Sequence, residues 1–187
     1  MPNIFKINIC DKIKISELIG LKKNGKTVEK YKHGDRSPNT AYENRFIEYG
    51  DIDYEAAKVL FNIQDRSYDF MNQAAFLCAQ ATEKYLKAFL FWNSKKHYPG
   101  LPGEKVLEKI KDLQHDLIKI LGECIKDNLN FKKFKEQVEV INKYSLLKYP
   151  DIEDEMVFSD EGLSISSGIL KEVSAIGDFV KGVIKNE

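Results

Sequence analysis

Cysteine, histidine, arginine and proline are all scarce in this chain of 187 residues, and each scarcity excludes something. The three cysteines, Cys10, Cys78 and Cys124, are odd in number and far apart, with no C-x-x-C pair. That pattern excludes a disulfide framework and a zinc knuckle. Cys78 and Cys124 fall among apolar helical neighbours and read as core residues. His33, His97 and His115 lie in separate segments, none with a second histidine at helical spacing, so no metal site and no cofactor is expected. A di-iron bundle would need Glu-x-x-His on two helices, and the chain offers only Asp112-x-x-His115. The N-terminus has no apolar targeting core, and no apolar run approaches membrane-spanning length. A cytosolic chain that does not enter a membrane is the expectation.

Charge is abundant but balanced. Lysine plus arginine and aspartate plus glutamate each number 29, so no net field draws the whole chain to a polyanion. The balance is uneven along the sequence, with nine basic against four acidic residues in positions 1–40. This basic stretch differs from the rest in pattern as well. Residues 4–9 alternate partially, as in a short strand, and Asn24-Gly25 between two short runs is a hairpin signal. A disordered basic arm accounts for residues 1–41 equally well. Lys32 to Thr40, with Gly34, Ser37, Pro38 and Asn39, reads as a linker.

From Tyr42 the spacing is helical. Phe46, Tyr49, Ala56, Val59, Leu60 and Ile63 recur at three- and four-residue steps over 42–64. Ser67 is a candidate N-cap for a second helix running to about Lys96. That helix is apolar around most of its circumference and should be central. Tyr98-Pro-Gly-Leu-Pro-Gly103 stops it. A short helix at 104–112, a break near Gln114–His115 and a longer helix at 116–127 follow. Residues 131–147 form the next, with Phe131, Phe134, Val138 and Ile141 inward, and Pro150 ends it. Ser164 to Lys185 is the last. The expected fold is all-α, an up-and-down bundle of four or five helices over 42–187, with residues 1–41 as an extension.

One polar stripe marks the central helix. Gln73, Gln80, Lys84 and Lys87 share a face, and Glu83 flanks it. Most such stripes are only the wet side of a helix. Farther along stand His115-Asp116-Leu117, where either polar residue suits a helix cap, and then Tyr144 and Lys148-Tyr149-Pro150.

Together, Gln80-x-x-Glu83-Lys84-x-x-Lys87-Ala88, His115-Asp116-Leu117 and Tyr144…Lys148-Tyr149-Pro150 resemble the HEPN domain, and Asp53-Tyr54-Glu55-Ala56-Ala57 resembles that family's first helix. The resemblance covers about residues 42–185. It implies a bundle that dimerises side by side and acts with a nucleotidyltransferase-type partner in a toxin–antitoxin-like system. Some relatives are metal-independent ribonucleases that use an arginine followed a few residues later by a histidine. Arg36, Arg45 and Arg66, the arginines of this chain, precede no histidine in that way, and Lys111, four residues before His115, lacks the guanidinium fork. Lys148 likewise stands where the family's closing element usually has arginine. The expectation is a non-catalytic module binding an ATP- or GTP-like nucleotide, RNA or a protein partner. Gln80, Lys84, Lys87, His115, Asp116, Tyr144, Lys148 and Tyr149 are its candidate ligand-binding residues. The alternatives are a ribonuclease using His115 with Lys111 or Lys84, and a purely structural dimerisation bundle.

Overall fold

In a computed structural model of the chain, residues 42–62, 68–145 and 160–186 are described. Six α-helices occupy them, with no strand among the described residues. They are α1 (Tyr42–Phe61), α2 (Tyr68–His97), α3 (Gly103–Lys111), α4 (Leu117–Asp127), α5 (Lys135–Tyr144) and α6 (Asp160–Lys185), with a 3-10 turn at Leu129–Phe134 before α5. No helix among the described residues is long and apolar enough to cross a membrane. The strand and hairpin expected in residues 1–41, the Ser67 cap, Lys148, Tyr149 and Pro150 lie outside the described residues.

The apolar circumference of α2 makes it the hub. Its Ala74, Cys78, Ala81, Tyr85, Leu86, Ala88, Phe89 and Phe91 are almost completely buried. The other helices pack around it. α1 runs antiparallel to α2, since Tyr42 at the start of α1 packs at a tilt against Phe91 near the end of α2, ring centroids 5.1 Å apart. α6 runs parallel to α2: Gly177 touches Tyr85, while Phe131 bridges Phe89 of α2 and Phe179 of α6 at 4.5 and 5.0 Å. Of the apolar face of α6 that the spacing predicts, Ile169, Val173, Ile176 and Val180 are buried and Ile184, in the last turn, is half-buried.

Local chemistry explains the breaks. Asp116 caps α4, its carboxylate accepting from the amides of Ile118 and Lys119 at 3.1 Å each. The remaining early amide, that of Leu117, donates to Asn142 Oδ1 of α5 at 3.0 Å. Gln114, in the turn between α3 and α4, has φ of 52°, a left-handed conformation that side chains disfavour. The helix expected over 131–147 begins instead as the 3-10 turn. With three residues per turn, Phe131 and Phe134 point the same way, and both are buried as expected.

Packing is close around Tyr85. A Cβ on Gly50 of α1 or on Gly177 of α6 would lie 2.8 Å from its ring. Both glycines are therefore required by close approach of helices to the ring rather than by backbone conformation. The phenol donates to Asp51 Oδ1 at 2.7 Å, and Lys181 of α6 pairs with the same oxygen. One aromatic ring thus joins α1, α2 and α6.

Candidate functional site

Residues 83, 84 and 87 of α2 point to one side of the helix, and burial there decides which of them can stay charged without a partner. Lys87 is 8% exposed and Glu83 7%. A buried ammonium and a buried carboxylate are each costly alone. They pair, Lys87 Nζ donating to Glu83 Oε1 at 2.7 Å. The same ammonium donates to the carbonyl of Gln114 at 2.7 Å. It thereby holds the turn whose backbone is strained.

Glu83 also receives His115. The imidazole Nδ1 lies 2.9 Å from Glu83 Oε2 and 3.2 Å from Oε1. In the neutral ring this contact selects the tautomer with the proton on Nδ1, because a carboxylate accepts only. Nε2 is then an acceptor on a side chain that is 65% exposed. Lys84, on the other flank of the stripe, pairs with Asp53 of α1. The acid that Lys84 meets is neither its neighbour Glu83 nor a group from another chain, but Asp53 of α1.

The structure therefore gathers Lys87, Glu83 and His115 into one cluster and sets Lys84 with Asp53 beside it. Gln80 is half-buried on the same stripe, one turn earlier. Asp116 is occupied as a helix cap, as the plainer reading of the sequence allowed. Tyr144 is elsewhere. It packs on Met71 and Ala75 near the other end of α2. Twelve or more helical residues separate these from Lys87, roughly 18 Å. Burial first, then the nearby Cys78 and Glu172, raises the Tyr144 phenol above its ordinary pKa. It does not share a site with the imidazole.

Two contributors were not singled out as partners from sequence: Asp53 and the Gln114 carbonyl. Both meet α2 from about thirty residues away in the chain, 31 and 27 positions respectively. A sequence period carries no signal for such pairings. Among the described residues no group of three His, Cys, Asp or Glu side chains is placed to hold a metal ion.

The flanks of this cluster are apolar. On α1, Tyr49, Ile52, Ala56 and Leu60 fall on the Asp53 side of the helix by their spacing. Tyr49 is 55% and Ile52 44% exposed. Ala56 and Leu60, with Phe76 and Leu77 on α2, are only half-buried. α1 fully buries just Gly50 and Ala57 out of twenty residues. The outcome is one surface of mixed character, with neutralised charges at its centre and greasy side chains beside them.

Compared with known proteins, the chain matches no family model, no curated protein and no solved structure. The likeness to the HEPN domain accordingly rests on the quoted residues alone.

Proposed function

We propose that this chain is a non-catalytic binding module that docks a protein partner, in the first instance a second copy of itself, on the face formed by α1 and the polar stripe of α2. The observation that carries the proposal is the sparse cover of α1, which leaves Tyr49 and Ile52 in solvent beside half-buried apolar neighbours. Contiguous apolar surface rimmed by polar groups is characteristic of protein interfaces. The resemblance to HEPN domains supports the same choice of partner and adds a nucleotidyltransferase-type protein as a second candidate.

A nucleotide on the stripe fits the charges less well. Lys84 and Lys87 are each bound to a carboxylate of the chain. A phosphate would have to displace those carboxylates, leaving a buried anion unpaired. The test of the docking face is the mass in solution by size-exclusion chromatography with light scattering. A dimer is expected for the native chain, and Ile52→Asp with Tyr49→Asp should give a folded monomer. A native chain that stays monomeric at high concentration, or a variant that stays dimeric, removes this face as the dimer interface.

One observation favours a second reading, RNA cleavage through His115. The buried carboxylate of Glu83 orients the imidazole and leaves Nε2 as the outward acceptor, the arrangement of a general base. RNA hydrolysis by the native chain that is lost in His115→Ala would establish it, and an inert native chain would dispose of it.

A further inference from the structure

We infer that the end of the bundle where α2 and α6 finish is a surface for single-stranded nucleic acid, separate from the docking face. Helix α2 closes on Lys95, Lys96 and His97, all exposed, followed by Tyr98 at 66% exposure. Three packing contacts bring other cations to the same end. Gly103 at the start of α3 rests on Tyr42 and Phe91, which places Lys105 near Phe91, toward the end of α2. Gly177 lies level with Tyr85 in two parallel helices, so Lys185, eight residues on, comes level with Asn93. Phe131 on Phe89 brings the 3-10 turn alongside, with Lys133 over the ring of Phe179 at 4.0 Å.

Lys95, Lys105 and Lys185 are exposed and make no ion pair with an acid among the described residues. The contrast with the stripe is direct, since the lysines there are neutralised. Lysines in the last turn of a helix do offset its dipole, and this accounts for Lys95 and Lys185. It does not account for Lys105, which sits in the first turn of α3, where a cation is unfavourable. Among the described residues, Glu43 and Glu104 stand at the same end and offset part of the positive charge. The exposed phenol ring decides the class of anion. An aromatic ring among exposed lysines suits a strand whose bases stack and whose phosphates track the charges. A duplex offers it no unstacked base.

The sequence hides this surface because its members come from separate segments and no single helix has a basic face. The inference goes beyond the proposed docking face, and the two can fail independently. The measurement is fluorescence anisotropy of labelled oligouridine RNA titrated with the full chain at low and moderate salt. Binding is expected at low salt, weakening steeply as salt rises, because lysine–phosphate contacts release counterions. Replacing Lys95, Lys105 and Lys185 together by Gln should weaken binding at least about tenfold, with circular dichroism unchanged. Tyr98→Ala should weaken it by about fivefold or more. Ile52→Asp should leave it intact. Absence of binding by the native chain, or undiminished binding by the triple variant, overturns the inference. So does full displacement of the RNA by polyglutamate together with no effect of Tyr98→Ala, which would assign the surface to an acidic protein segment.

Discussion

Lys84 and Tyr85 are consecutive residues that meet opposite fates, and the two sides of α2 they open onto hold the bundle together by different means. On the Tyr85 side, two helices approach through glycines until a ring fills the whole gap between them. Shape does the work there, and Asp51 and Lys181 merely satisfy the phenol at the rim. On the Lys84 side, the contacts are ionic: Asp53 with Lys84, Glu83 with Lys87 and His115. Packing by shape tolerates no added atom. Ionic packing tolerates no missing partner. The comparison also separates roles, since the ring side is sealed while the ionic side borders the exposed apolar face of α1.

The largest effect should follow from removing one member of the buried pair. Lys87→Ala leaves Glu83 in a site with little water and only the exposed imidazole as partner, and it frees the Gln114 carbonyl. Loss of one partner from a buried pair costs about 3–5 kcal/mol. Urea unfolding should show a fall of that order. Replacing both residues, Glu83→Leu with Lys87→Met, should recover most of it, because no charge is then left unpaired. If the single variant unfolds like the native chain, the pair is not the anchor of the α3–α4 turn.

Next comes the ring side. Gly177→Ala places a methyl 2.8 Å from the Tyr85 ring. Overpacking of this kind costs about 1–3 kcal/mol, while alanine gains back up to about 1 kcal/mol of helix propensity over glycine. A net loss of about 1–2 kcal/mol is expected on those two terms. Gly182→Ala, five residues on in the same helix and with nothing within 4 Å of its Cβ, should show the propensity term alone. It should stabilise by about 0.5–1 kcal/mol. Thermal unfolding of the two variants side by side gives opposite signs if the clamp is real, and the same sign if it is not.

These contrasts show why only part of the molecule was legible in its sequence. The helices were, because burial on one side writes itself into spacing: Phe131, Phe134, Val138 and Ile141 are inward as their period required. The break at Gln114–His115 was also legible, since Asp116 is a good cap and the apolar period restarts at Leu117. The 3-10 turn was not. Phe131 and Phe134 are three apart, a step that both helix types bring to one face. The stripe was visible, yet its chemistry was not, because Asp53 and the Gln114 carbonyl arrive from distant segments. Tyr144 carried the opposite lesson: its place in a motif says nothing of which end of a thirty-residue helix it meets. Gly50 and Gly177 passed unnoticed, for a glycine inside a helix reads as a mere loss of propensity until the ring opposite it is known.

The last of these effects is the most diagnostic, because it has a pH signature. Burial, assisted by the Asp51 carboxylate, pushes the Tyr85 phenol well above its ordinary pKa. Below about pH 10 the phenol is neutral in both folded and unfolded chains and contributes no pH dependence. Above that, the unfolded chain releases the proton and the folded chain keeps it. The folded state then binds more protons, so stability falls with rising pH by up to about 1.4 kcal/mol per unit. Tyr85→Phe deletes the hydrogen bond to Asp51, which is worth about 1 kcal/mol at neutral pH. It also deletes the alkaline loss. The native chain should therefore be the more stable at pH 7, and its advantage should shrink and then reverse as the pH is taken past 10. Parallel curves for the two chains from pH 8 to 11 would mean that the ring hydroxyl reaches solvent, and that the clamp on α2 is looser than the glycine contacts require.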